Sequence, residues 1–206
     1  MNDARREVVR RGYDEIAERY LAARATGGDL ALLPESVARL SAGDAVLDAG
    51  CGAGDPVMTQ LADAGLEVVG IDLSSAQLRL ARSHSPGARV AQADLVALPF
   101  GDGSFDGLVS YYAVIHVPRS EHRSAFDEFH RVLASGGAAL LCLGAGDVPG
   151  DDDRESWLGT HMFWSHFDAE TNLEMLQAAG FDILRHELVK DPMNHGRHLF
   201  ALVAAH

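Results

Sequence analysis

The chain has 206 residues, 47% of them hydrophobic and 23% charged. That is enough apolar material for a packed core, at about 1.4 times an average domain of roughly 150 residues. Seventeen basic against 30 acidic side chains leave a formal charge of −13 with no basic block, which argues against a nucleic-acid or anionic-membrane surface.

Two cysteines, Cys51 and Cys142, make no disulfide framework, and nowhere do 18 apolar residues run together. The first twenty residues hold no apolar signal core and carry too many acids for a transit peptide. The expectation is a cytoplasmic protein with reduced thiols and no membrane span.

In chain order, Val8, Val9, Tyr13, Ile16, Ala17, Tyr20 and Leu21 recur at intervals of three and four and predict a first helix. Thr26-Gly27-Gly28-Asp29 ends it. A short helix follows over about 30–39, with Pro34 in its first turn. From residue 44 the rhythm becomes strand, turn, helix. A strand over 45–48 runs into Gly50-Cys51-Gly52-Ala53-Gly54, and Pro56 suits the first position of the helix reaching Asp63. The second strand, 67–72, leads to a helix capped by Ser74 or Ser75 and ending near Ser83.

The unit repeats with a third strand over 89–93, a fourth over 105–111 and a helix over about 121–133 that stops at Ser135-Gly136-Gly137. The unbroken apolar run 138–143 predicts a fifth strand buried on both faces. Such a succession reads as a parallel sheet with right-handed crossovers. After a polar stretch, 144–167, a helix is expected over about 169–179 with Asp168 as cap. Strands 181–189 and 198–204 are separated only by KDPMNHGR, too short for a parallel return, so they should pair antiparallel. The whole chain, 1–206, reads as one domain, with 1–40 as a helical cap and 144–167 as a substrate-side loop.

In open parallel sheets ligands bind outside the carboxyl ends of the strands. Asp48 and the glycine turn, Asp72, Asp94, and then Ser110, Tyr111, Tyr112 and His116 stand at those ends. The glycine spacing is GxGxG, neither the GxGxxG of dinucleotide sites nor a phosphate loop with Gly-Lys-Ser/Thr. Asp55, directly after the last glycine, would repel a pyrophosphate. Asp72 can receive a ribose diol on two acceptor oxygens, and Asp94 an adenine amino group. Three carboxylates suit a ligand that carries positive charge.

Asp48-Ala49-Gly50-Cys51-Gly52-Ala53-Gly54, Gly70-Ile71-Asp72-Leu73-Ser74, and the run from Ala93-Asp94-Leu95 to Pro99-Phe100 with Ser104-Phe105-Asp106 resemble the class I S-adenosylmethionine-dependent methyltransferases, in their small-molecule, ubiquinone/menaquinone-methyltransferase-like branch. Arg131-Val132-Leu133 with Gly136-Gly137 is similar to that family's segment before strand five. The resemblance implies a Rossmann-like three-layer α/β/α sandwich around a seven-stranded, mostly parallel sheet with an antiparallel C-terminal strand. It implies S-adenosyl-L-methionine as cofactor and S-adenosyl-L-homocysteine as product. By it, the backbone at Gly50, Cys51 and Gly52 supports the methionine portion, with Asp48 orienting that loop. Asp72 and Leu73 lie at the ribose, Asp94 and the Leu95 backbone at adenine. Tyr13 and Tyr20 match a YDxIAxxY helix that closes over the cofactor, and Tyr111 lies at its edge. Two departures stand out: Asp55-Pro56 replaces a small or hydroxyl residue, and Ser135 replaces a common proline.

For the acceptor, the aromatic stretch with Trp157, Met162, Phe163, Trp164 and Phe167 suggests a wall for an aromatic or largely apolar metabolite. If a proton must be taken from the nucleophile, an oxygen, nitrogen or sulfur, His116 and His166 are the first candidates, then His161, with Tyr112 orienting the acceptor. His195, His198 and His206 are weaker candidates. No compact metal-ligand spacing occurs, and the acids at 151–153 read as a solvated loop. The expected partner is a small-molecule substrate, without nucleic acid or membrane. Oligomeric state is open. A non-catalytic S-adenosylmethionine or S-adenosylhomocysteine binder, a protein- or RNA-directed methyltransferase and a nicotinamide enzyme are the alternatives.

Overall fold

Alternating apolar runs and helices build a layered structure, seen in a computed structural model that describes residues 2–24, 30–84, 87–150, 157–191, 193 and 196–206. The strands are β1 (Ala45–Ala49), β2 (Glu67–Asp72), β3 (Arg89–Gln92), β4 (Phe105–Ser110), β5 (Leu133–Gly144), β6 (Phe181–Lys190) and β7 (Arg197–Ala205). The helices are α1 (Asn2–Arg24), α2 (Leu33–Val37), α3 (Val57–Asp63), α4 (Ser75–His84), α5 (His122–Val132) and α6 (Ala169–Ala178). The strands form one sheet in the order β3-β2-β1-β4-β5-β7-β6. The first five run parallel, and β7 pairs antiparallel with both β5 and β6. This is a Rossmann-like α/β/α sandwich with the expected antiparallel end.

The two sheet faces are covered separately. Leu47, Leu108, Leu141 and Ala201 point to one side, against Phe126 and Phe129 of α5 and Leu176 of α6. Val46, Val109, Leu140 and Phe200 point to the other, against Leu33 of α2 and Leu61 of α3. The period of two along each strand sorts them. A third cluster joins Val9 and Ile16 of α1 to Met162 and Phe163.

Several boundaries move for physical reasons. β5 begins at Leu133, because Leu133 pairs with Phe105 across a register shift before the expected Gly136-Gly137 stop. β4 ends at Ser110, one residue short of the expected 111, and Tyr112 takes a left-handed φ of 56°. Val8 is exposed, on the outer face of α1. Asp168 caps α6 as expected, accepting from the Thr171 N–H. The break at 26–29, the acids at 151–153 and His195 lie outside the described residues.

Candidate active site

The carboxyl ends of β1 and β4 meet where the strand order turns back on itself, the position at which open α/β sheets hold ligands. Gly50 leaves β1 with φ 91°, and a Cβ there would stand 2.2 Å from the Ala113 methyl carbon. Only glycine lets the turn pass so close to the chain after β4.

The Gly52 N–H donates to Asp72 Oδ2 at 2.9 Å and the Ser74 N–H to Oδ1 at 2.8 Å. Each Asp72 oxygen therefore keeps a further lone pair for a ligand. Burial pushes its carboxyl up to about 6, against the pull of those backbone donors. Asp48 lies deeper, and its Oδ2 has no hydrogen-bond partner among the described residues. Burial first, then the Asp72 charge, pushes Asp48 up to about 8.

One groove is lined by Gly50, Gly52, Asp72, Leu73, Asp94 and Leu95, together with Tyr13, Tyr20, Tyr111, Tyr112 and His116. A recess sharing Gly50, Gly52, Tyr20, Tyr111 and Tyr112 adds Asp48 and Cys51. The expected cofactor residues thus come together on one side of the sheet. Cys51 is no thiolate: burial pushes its thiol well above the usual range. The Tyr111 hydroxyl donates to the Ala31 carbonyl at 3.0 Å, tying the groove to the segment before α2.

Helix α1 lies over this groove. Asp14 Oδ1 accepts from Ser74 Oγ at 2.7 Å and from the Ala76 N–H at 3.0 Å, fastening α1 to the N-terminus of α4. Arg6 pairs with both Asp94 and Glu121. Asp94, expected to receive an adenine amino group, is therefore engaged by a cation that sequence reasoning did not find. Only about 70 Å³ of free space remains beneath α1, far below the several hundred Å³ of a small-molecule site.

The polar chemistry of the groove fits an adenosine-bearing cation. Besides Asp48 Oδ2, both amide atoms of Gln77 are buried without a partner among the described residues, and Gln77 lines the groove. Gln77 was not singled out from sequence; its place one turn into α4, below Asp72, was the available signal.

A larger cavity of about 410 Å³ adjoins the groove through Tyr13, Tyr20, Tyr112 and His116, and is walled by Trp157, Trp164 and His166. Tyr13 meets Tyr20 at 5.2 Å and Trp157 at 6.0 Å between ring centroids, and Trp157 meets Trp164 at 5.6 Å. His116 Nδ1–H donates to the Phe163 carbonyl at 2.7 Å, and its Nε2 accepts from the Tyr13 hydroxyl at 2.8 Å. Burial holds this imidazole down at about 4 and pushes the Tyr13 hydroxyl far above its usual value.

His166 packs against the end of β5, where a Cβ on Gly144 would stand 2.0 Å from its ring. Its Nδ1–H donates to the Gly146 carbonyl at 2.7 Å, and burial lowers its pKa. His161 does not join them. It is exposed, because Met162 and Phe163 take the inward positions against α1. Arg24, at the end of α1, stacks 3.7 Å from the Tyr112 ring centroid. Among the described residues no group of three or more His, Cys, Asp or Glu could hold a metal ion, and no helix is long and apolar enough to cross a membrane.

A family model described as a methyltransferase domain matches residues 46–137, from the first strand to the start of the fifth. An uncharacterized methyltransferase of Synechocystis is 31% identical over 164 residues, covering 76% of this chain and 75% of that protein. A 24-methylenesterol C-methyltransferase of rice is 38% identical over 101 residues, 46% of this chain, which spans only 27% of the rice enzyme's length. Among solved structures, a SAM-dependent methyltransferase of Methanosarcina mazei superposes with a TM-score of 0.72 at 25% identity, covering 84% of this chain and 97% of that one.

Proposed function

This chain belongs to the class I S-adenosylmethionine-dependent methyltransferases, and from that membership we propose that it transfers a methyl group to an oxygen, nitrogen or sulfur of a small aromatic or largely apolar metabolite. The observation that carries the reading is the pair of adjoining spaces that share Tyr13, Tyr20, Tyr112 and His116. One has the polar groups for adenosine and a cationic amino acid; the other has aromatic walls and room for an acceptor.

S-adenosylmethionine supplies an electrophilic methyl on a sulfonium sulfur. Asp72 would hold the ribose hydroxyls, Asp94 and the Leu95 backbone the adenine, and the turn at Gly50, Cys51 and Gly52 with Asp48 the amino-acid end. Leu73 and Tyr111 complete the wall, and Tyr13 and Tyr20 close it from α1. The chain's tasks are then alignment, exclusion of water and, where the nucleophile carries a proton, its removal. His166, His116 and Tyr112 all line the acceptor space. His116 serves mainly to hold Tyr13, since both of its ring nitrogens are engaged. We place residues 1–40 as the cap and 144–167 as the acceptor wall of a single domain.

A non-catalytic binder of the cofactor would have little use for a cavity of about 410 Å³ at the methyl end. The deciding experiment is transfer from methyl-labelled S-adenosylmethionine to a broad metabolite set, read by mass spectrometry alongside calorimetric binding of S-adenosylhomocysteine. Labelled small-molecule product supports the reading. Product binding with no transfer to any small molecule returns the chain to a sensor or macromolecular role.

A further inference from the structure

The hairpin joining β6 and β7 carries a carboxylate–imidazole pair on the acceptor cavity. Asp191 directly follows β6 and His198 is the second residue of β7; they are 4% and 7% exposed. The Asp191 N–H donates to the Gly196 carbonyl at 3.0 Å, and Oδ1 accepts from the Met193 N–H at 2.8 Å. The carboxylate is thus held in place by its own turn. Its Oδ2 accepts from His198 Nε2–H at 3.1 Å.

A carboxylate only accepts, so the neutral imidazole carries its proton on Nε2 and leaves the lone pair on Nδ1. That Nδ1 is buried and has no hydrogen-bond partner among the described residues. Both residues line the aromatic cavity. His116, by contrast, has both nitrogens engaged. The other charged and titratable groups that line this cavity are Tyr13, Tyr20 and Arg24 of α1, Tyr112 after β4, His116, His166 before α6 and Arg197. Burial raises the Asp191 carboxyl, but the His198 and Met193 hydrogen bonds and Arg24 together hold it below its usual value.

We propose that His198 Nδ1 takes the proton from a phenol-class hydroxyl of the methyl acceptor, with Asp191 as its positioning residue. This rests on the methyl-transfer reading above. The acceptor oxygen forms its bond to the methyl carbon as the carbon–sulfur bond breaks and S-adenosylhomocysteine leaves. The O–H electron pair stays on oxygen, the proton passes to Nδ1, and the imidazolium so formed faces the Asp191 charge. The step needs no oxidant or reductant. An acceptor already ionised, such as a carboxylate, would need no such base, whereas a phenol does, and the cavity's aromatic walls suit its ring. Nδ1 is buried, so the Tyr112 ring, whose centroid lies 4.9 Å from that of His198, must turn aside for the acceptor.

The test uses the full chain saturated with S-adenosylhomocysteine and a series of nitrophenols, each at a pH about two units below its own pKa, where about 99% of it is protonated in solution. Proton transfer to His198 gives the yellow phenolate band on binding to the wild type. The band should be lost in His198→Asn and weakened in Asp191→Asn, with S-adenosylhomocysteine affinity and circular dichroism unchanged. Where a nitrophenol is also methylated, His198→Asn should slow turnover at neutral pH by roughly 100-fold or more, with recovery as rising pH forms phenolate in solution. No phenolate band with any nitrophenol in the wild type, or an undiminished band in His198→Asn, overturns the proposal. Absent binding of S-adenosylhomocysteine to the wild type would instead overturn the methyltransferase reading beneath it.

Discussion

The Tyr13 hydroxyl donates to His116 Nε2 at 2.8 Å, joining the closing helix α1 to the segment after β4. The bond exists because the Phe163 carbonyl accepts from the Nδ1–H, which leaves the lone pair on Nε2. It makes α1, the segment around Phe163 and the end of the sheet one hydrogen-bonded unit.

The first expectation follows from that bond. Burial depresses His116 from 6.5 to about 4. The folded protein therefore binds fewer protons than the unfolded chain between those values, and the His116 contribution is fully present above pH 6.5 and lost as pH falls toward 4. The wild-type melting temperature should drop across that window more steeply than that of His116→Gln. Tyr13→Phe, which leaves Nε2 buried without a donor, should cost about 1–3 kcal/mol at neutral pH. Equal slopes in the wild type and His116→Gln would refute the assignment.

Asp48 gives the opposite sign. Its carboxyl is raised to about 8 by burial and by Asp72, so the ligand-free protein holds a proton there at neutral pH. Its stabilising effect is greatest below the unfolded value and is lost as pH rises through 8. A cationic ligand favours the ionised form. Affinity for S-adenosylmethionine should therefore rise with pH between 6 and 8, by up to about tenfold per unit for one coupled proton. Calorimetry in buffers of different ionisation enthalpy should detect the released proton. Asp48→Asn should abolish both the slope and the release.

What was readable beforehand is what lies close in sequence to a strand end. Asp48, Asp72 and Asp94 each stand at the end of an apolar run, so the groove that Asp72 and Asp94 share, and the recess of Asp48 beside it, came from strand periodicity and one topological rule. Arg6 could not be placed on Asp94 from spacing alone, because the contact depends on how α1 crosses α4, which Asp14 sets by capping Ser74 and Ala76. His198 looked peripheral because it sits near a hairpin. The antiparallel insertion of β7 beside β5 instead sets it facing Tyr112. His161 ranks behind His116 and His166 as a base, and it falls outside the cavity because the side chains that α1 needs inward are Met162 and Phe163.

The Arg6 contacts make a separate prediction. Arg6 bridges Asp94 and Glu121 from α1, with its side chain and both partners partly buried. Arg6→Met should free Asp94 and loosen the front half of α1. Partly exposed ion pairs contribute about 0.2–1 kcal/mol each, so loss of both should quicken cofactor association by roughly 2- to 30-fold. Stopped-flow fluorescence of Trp157 and Trp164, which meet α1 and its wall, is the measurement. Salt should speed the wild type and leave the variant nearly unaffected. An unchanged rate would show that α1 opens at another point.

Gly12 tests how closely α1 must lie on the acceptor wall. A Cβ at this position would stand 2.9 Å from the His161 carbonyl oxygen and 2.8 Å from Met162 Cε. The methionine end can swing away; the carbonyl belongs to backbone and cannot move without shifting the wall. Alanine favours a helix interior over glycine by about 1 kcal/mol, so a free-standing α1 would gain from Gly12→Ala. Overpacking at a closed contact costs about 1–3 kcal/mol, and here it acts on the contact that seats Tyr13 against His116. Gly12→Ala should therefore lower the melting temperature and raise the exchange rate of amide hydrogens in α1, while the sheet core stays protected. A higher melting temperature would mean that α1 does not lie closed on the wall in solution.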